Sequence, residues 1–208
     1  MLTIDQVSCI RQERVLFKDL GFTIGDCCLV VIKGPNGSGK SSLLRIIAQL
    51  LEPDAGQVMY ANESLDGQHR QEFCQMIHYI GHKSALKLNQ TVRQNLQFWA
   101  SLHGCQDTLF APAVHFFKLE PLLDIPLYQL SAGWQKRVCL ARLLIRQSEI
   151  WLLDEPYTFL DATGKRLLDG LIQARLDQGG SVVVATNEEL SLDGQHIIDI
   201  RDYQEAEA

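Results

Sequence analysis

No apolar run in this chain approaches the roughly 18 residues of a bilayer-spanning helix, and no basic start followed by an apolar stretch opens it. The expectation is a cytoplasmic protein, free to sit on a membrane partner. Basic residues are in deficit: 19 Lys and Arg stand against 25 Asp and Glu, for a formal net charge of −6. That balance argues against a nucleic-acid partner, whose phosphates favour a basic face. Cys9, Cys27, Cys28, Cys74, Cys105 and Cys139 include no C-x-x-C pair, so reduced, partly buried thiols are expected rather than a paired-thiolate site. His69, His78, His82, His103, His115 and His196 are scattered rather than clustered, which speaks against a zinc centre. Internal repeats and low-complexity linkers are absent as well.

What is present is an alternation of apolar runs and amphipathic stretches. Leu2 to Ile10 reads as a strand, Cys28 to Lys33 as a continuous and therefore buried one, and Ser41 to Leu51 as a helix stopped by Glu52-Pro53. Short strands are expected at Val58 to Tyr60 and at Ile77 to Gly81. From Ser84 to about Gln147 helical patterning takes over, punctuated by Pro112, Pro121 and Pro126. Apolar runs return at Ile150 to Leu153 and at Ser181 to Ala185, with a helix from about Thr163 to Gln178 between them. Residues 204–208 have no apolar anchor and are expected to fray. Parallel strands fed by crossover helices, with the helical block inserted as a lobe, satisfy this order.

The segment Gly34 to Ser41, GPNGSGKS, joins the buried strand to the helix. It has the full G-x-x-x-x-G-K-S spacing of a phosphate-binding loop, in the strand–loop–helix context that the chemistry needs. Gly34, Pro35, Asn36, Gly37, Ser38 and Gly39 can turn their N–H groups toward phosphate oxygens. Lys40 adds a point charge for the β- and γ-phosphates, the Ser41 hydroxyl is placed to ligate Mg²⁺, and Ser42 continues the helix N-terminus that favours an anion. ATP with Mg²⁺ is the expected ligand. A second element, Ile150-Trp-Leu-Leu-Asp154-Glu155, ends a buried strand in two carboxylates, at the sheet edge where α/β proteins bind ligands. Asp154 is the expected second Mg²⁺ ligand and Glu155 the general base for an attacking water.

Between these lies Leu130-Ser-Ala-Gly-Trp-Gln-Lys-Arg137. On it the chain resembles the ABC-type ATPases, whose LSGGQ signature it matches as LSAGW. Glu155-Pro-Tyr-Thr-Phe-Leu-Asp161 resembles their D-loop, and Ala185-Thr-Asn187 takes the position of their switch loop. The resemblance implies one α/β P-loop NTPase domain over residues 1–208. Its RecA-like mixed-sheet core would be residues 1–83 and 149–208, and its inserted α-helical signature subdomain residues 84–148. It implies further that Ser131 and Gly133 complete the nucleotide site of a second copy in a head-to-tail dimer, with Asp161 near that interface, and that His82 and Asn187 sense the γ-phosphate. The resemblance puts the adenine-stacking position on Arg11, whose planar guanidinium can stack on a purine; the other reading of Arg11 is a solvated loop charge.

Within ABC ATPases the minimal length, His82 at the Q-loop position and the phrasing LSAG with EPYT-x-x-D are similar to the ATP-binding subunits of the haem exporter of cytochrome c maturation. That likeness implies integral membrane partner subunits, a peripheral place on the cytoplasmic face of a bacterial inner membrane, and a role in haem delivery. No haem site is visible in the chain, which has no C-x-x-C-H. Leu86, Leu88, Thr91, Val92, Phe98 and Trp99 follow His82 where relatives receive their membrane subunits; Phe98 and Trp99 can equally fill the lobe's own core, since a helix can bury one of two adjacent aromatics and expose the other. Trp134 departs from the signature glutamine and Asn187 from the switch histidine. Asparagine donates a hydrogen bond but carries no charge, so a nucleotide-gated scaffold with weak hydrolysis and the ATPase of another ABC exporter stay open. A soluble ABC protein working on DNA or ribosomes would need paired cassettes, a coiled-coil insertion or basic patches.

Overall fold

In the computed structural model, which describes residues 1–102, 104 and 110–204, strands and helices alternate through most of the chain. His103, Cys105 and the tail from residue 205 lie outside the described residues. The strands are β1 (Leu2–Arg11), β2 (Arg14–Ile24), β3 (Leu29–Lys33), β4 (Ala55–Tyr60), β5 (Glu63–Ser64), β6 (Ile77–Ile80), β7 (Ile150–Asp154), β8 (Ser181–Ala185) and β9 (Gln195–Asp199). The helices are α1 (Lys40–Ile47), α2 (Gly67–Met76), α3 (Val92–Leu102), α4 (Phe110–Phe116), α5 (Ala132–Ile145) and α6 (Ala162–Asp177).

The parallel and antiparallel strands are divided between two sheets: an antiparallel one ordered β2-β1-β4-β5 and a parallel one ordered β6-β7-β8-β3-β9. Both faces of the parallel sheet are covered. Leu29, Val31, Leu153 and Val184 point into a core shared with α3, α5 and α6, whereas Val30, Ile32, Leu152 and Val183 point into a core shared with α1 and the antiparallel sheet. A strand buried on both faces has no polar alternation to show, which explains the continuous runs of β3, β7 and β8.

Helix α1 ends before the expected Leu51. Gln49 takes a left-handed φ of 58°, Leu50 N–H donates to Arg45 O at 2.8 Å and Gln49 N–H to Ile46 O at 3.0 Å. These two bonds form a Schellman cap, which closes the helix ahead of Glu52-Pro53. Strand β2, absent from the expected elements, pairs with β1 through Gln12 and Glu13, at φ 51° and 64°. The segment between β6 and β7 carries α3, α4 and α5, and α5 packs against both of the others.

Candidate nucleotide-binding site

The glycine-rich loop leaves the carboxyl end of β3 and enters α1 at Gly39, whose φ of 107° is left-handed. A Cβ there would also stand 3.0 Å from Phe17 and 3.1 Å from Leu16, so only glycine fits both the turn and its neighbours. The loop floors a cleft of about 640 Å³, lined by Pro35, Asn36, Gly37, Gly39, Lys40, Ser41 and Ser42 together with Leu16, His82, Glu155, Thr158 and Asn187. Gly34 and Ser38 stand behind this lining, with Ser38 buried and its N–H donated to Pro35 O at 3.1 Å.

Strand β7 ends beside the same cleft because it lies in the parallel sheet one strand from β3, across β8: Glu155, just past the strand, lines the cleft, and Asp154, its last residue, stands behind the lining. Ser41 Oγ donates to Asp154 Oδ1 at 3.0 Å, joining residues 113 positions apart. Asp154 is fully buried, and its Oδ2 has no hydrogen-bond partner among the described residues. A buried, unshared carboxylate oxygen beside a hydroxyl is costly unless a cation takes it, and the hard oxygen pair fits Mg²⁺. Lys40 Nζ donates to Gly34 O at 2.6 Å and to Pro35 O at 3.3 Å, and lies 3.5 Å from Glu155 Oε1. Glu155 has a left-handed φ of 46° and donates its N–H to Ala185 O at 2.9 Å. Asn187 Oδ1 accepts the Gly34 N–H at 3.4 Å, which ties the end of β8 to the loop. His82 is exposed on the cleft wall.

Arg11 is not brought to the cleft. Its Nη1 donates to Ile10 O at 2.7 Å and stands 3.5 Å from Asp54 Oδ2, which also accepts the Ile10 N–H at 2.7 Å. The carboxylate before β4 holds the guanidinium on the hairpin, and Leu16, missed from sequence, is one of the residues lining the cleft. Thr158 was missed as a lining residue too, although the EPYT phrase contained it. Ser131 and Gly133 line a separate cavity of about 360 Å³ with Trp134, Arg137, Phe159 and Asp161. Ser131 caps α5 by accepting Trp134 N–H at 3.4 Å, and the Arg137 guanidinium lies 4.5 Å from the Trp134 ring centre. Arg137 Nη2 donates to Asp161 Oδ1 at 2.6 Å, and Asp161 caps α6 by accepting Gly164 N–H at 2.7 Å. Those two bonds, the Gly164 one first, hold the Asp161 carboxyl below its ordinary value.

In the helical lobe Phe98 is 41% exposed and carries Lys87 Nζ at 4.0 Å over its ring, whereas Trp99 is half-buried and stacked by Arg142 at 3.5 Å. The adjacent aromatics therefore divide between surface and lobe. His78 and His82, four apart, do not share a helix face: His78 lies in β6 and His82 in a bend two residues past its end.

A family model described as ABC transporter matches residues 17–158. Among curated relatives, the cytochrome c biogenesis ATP-binding export protein CcmA of Rickettsia felis is 40% identical over 200 residues, covering 96% of this chain and 100% of the relative. The protein of the same name in Aliivibrio fischeri is 41% identical over 202 residues, covering 97% and 98%. A solved putative ABC transporter ATP-binding protein of Pyrococcus furiosus aligns with a TM-score of 0.83 at 26% identity, over 98% of this chain and 99% of that one. The ATP-binding cassette MJ0796, a dimer in a post-hydrolysis state bound to ADP and phosphate, aligns with a TM-score of 0.76 at 26% identity, over 90% and 88%.

Proposed function

Because the chain belongs to the ABC transporter family of ATP-binding proteins, we propose that it is the ATP-binding and hydrolysing subunit of a membrane exporter of cytochrome c biogenesis, serving haem delivery. One observation carries the enzymatic part: Lys40, Ser41 and Glu155 line one cleft and Asp154 stands directly behind Ser41, with Ser41 Oγ 3.0 Å from Asp154 and Lys40 Nζ 3.5 Å from Glu155. The loop N–H groups and Lys40 bind the phosphates, and Ser41 and Asp154 hold Mg²⁺. The bound ion supplies charge neutralisation on the phosphate oxygens. Glu155 orients and deprotonates the attacking water, while Asn187 and His82 contact the γ-phosphate from the cleft wall.

The domain divides into a core of residues 1–83 and 149–208 and a helical signature subdomain of residues 84–148. Ser131 and Gly133 act on the nucleotide of a second copy; their position in a cavity apart from the phosphate cleft supports that role, as does the dimeric state of a solved relative. Exposed Leu88 and Phe98 offer the lobe's apolar contact for integral membrane subunits. Among the described residues no helix is long and apolar enough to cross a membrane, so docking on such subunits accounts for a peripheral place on the cytoplasmic face of the inner membrane. A tagged chain recovered from solubilised membranes should bring membrane subunits with it and release phosphate from ATP; recovery alone and inert would refute the reading.

A second reading, a nucleotide-gated scaffold, draws on Asn187. Its Oδ1 is engaged by Gly34 N–H, so the uncharged amide group has only its NH₂ left for the γ-phosphate. Nucleotide-dependent recovery of membrane subunits without turnover would select it.

A further inference from the structure

The start of α5 meets the segment from Glu155 to Asp161 at three points. A Cβ on Gly133 would stand 2.8 Å from Phe159 O, Arg137 binds Asp161 at 2.6 Å, and Lys136 Nζ donates to Glu155 O at 2.9 Å. The last contact falls on a backbone that needs support. Glu155 is a non-glycine residue at φ 46°, a conformation that persists only where the surroundings hold it. Two bonds do so: its N–H to Ala185 O at 2.9 Å and its carbonyl to Lys136. Lys136 is itself only 8% exposed. Burial lowers its pKa, and an ammonium is costly to bury unless its hydrogen bonds are used. Beside this contact lies a cavity of about 120 Å³, lined by Lys136, Glu155, His82, Gln135 and Thr158.

We infer that Lys136 is a positioning residue for hydrolysis: by gripping the Glu155 carbonyl from α5 it fixes the peptide that aims the Glu155 carboxylate into the phosphate cleft. The inference rests on the reading of Glu155 as the general base. Released from Lys136, the residue 155 peptide can rotate toward more ordinary φ, which swings the carboxylate away from Lys40 and from a water near the γ-phosphate. Because α5 opens at Ser131 and Gly133, a displacement of that helix start passes through one ammonium to the base. Ground-state ATP binding, which uses the loop, changes only by the modest relief of Lys40 from its pairing with the carboxylate.

The test compares Lys136→Met, Lys136→Arg, Glu155→Gln and the Lys136→Met/Glu155→Gln double variant, as full chains with their co-purifying membrane subunits, in ATP turnover and ATP binding. Methionine keeps the length of the buried stem and removes the donor. Lys136→Met should lower kcat about tenfold to a hundredfold, the scale of loss for a misplaced reacting group, with KM and ATP affinity within about fivefold of the original. Lys136→Arg, which keeps a donor, should recover part of the rate. In the double variant turnover should equal that of Glu155→Gln alone, since the lysine acts through that carboxylate. Wild-type kcat in Lys136→Met, or a loss that multiplies in full with Glu155→Gln, would overturn the inference. If Glu155→Gln itself turns over normally, the base assignment falls and this inference with it; if Glu155→Gln is inert and Lys136→Met is not, the inference alone falls.

Discussion

Replacing Lys40 with alanine removes an ammonium that already has neighbours in the free protein: Gly34 O at 2.6 Å, Pro35 O at 3.3 Å and Glu155 Oε1 at 3.5 Å. A hydrogen bond to a charged group contributes about 1.5–3 kcal/mol. Phosphate oxygens must displace the existing partners of Lys40, so the net gain on ATP binding sits near the lower end. A loss of about 1.5–2 kcal/mol corresponds to roughly ten- to thirtyfold weaker ATP binding. The same exchange predicts the opposite sign for Glu155→Gln. That variant relieves Lys40 of a partly buried competitor, and ATP binding should tighten by about two- to fivefold, the span of modest ion pairs. Calorimetric titration with a non-hydrolysable ATP analogue and Mg²⁺ measures both. Binding to Lys40→Ala within about twofold of the original would refute the placement of the ammonium at the phosphates.

Other perturbations test separate parts of the site. Asp154→Asn leaves a hydrogen-bond acceptor for Ser41 but removes the charge at the unshared buried oxygen; removing Mg²⁺ with a chelator should weaken ATP binding to the original chain and scarcely change that variant's. Asn187→His adds an ionisable donor at the end of β8 and should raise subunit-stimulated ATP turnover by roughly threefold to thirtyfold, with little change in affinity, whereas Asn187→Ala should lower it. Since the Gly164 N–H and then Arg137 hold the Asp161 carboxyl below the usual aspartate range, its contribution to stability is present above the unfolded value and fades as pH falls through the folded one. Melting curves of the original and Asp161→Asn should therefore differ at neutral pH and converge in acid; a constant gap would contradict that linkage.

The chemistry of the cleft was legible because it resides in contiguous motifs. GPNGSGKS and IWLLDE each state a residue type at a fixed offset from a buried strand, and the parallel sheet brings the two together by placing β7 near β3. The alternation of strand and helix was equally plain where strands are buried on both faces. Strand β2 was hidden for a physical reason. Its hairpin turns on Gln12 and Glu13 at positive φ, where Gly or Asn would have announced the turn. Irregular residues Gln6 and Asp19, at φ 48° and 51°, also break the inside–outside alternation of β1 and β2. Edge strand β9 has a single buried residue, Ile198, and α2 only Phe73, so neither shows a periodic apolar face. The pairing of Arg11 with Asp54 was not legible, because that carboxylate is 43 residues further along and is brought beside it only when β4 pairs with β1. The role inferred for Lys136 was illegible for the same reason: a buried lysine near a helix start looks like a solvated one until its carbonyl partner is seen.

The most direct measurement of the central claim is phosphate release from Mg·ATP by the chain with its membrane subunits, compared between the original and Glu155→Gln. A catalytic machine built on this cleft predicts continuous turnover by the original and a rate lower by on the order of a hundredfold or more in the variant, as for loss of a general base, with ATP still bound by both. Equal rates, or no turnover by either while ATP is bound, would contradict it.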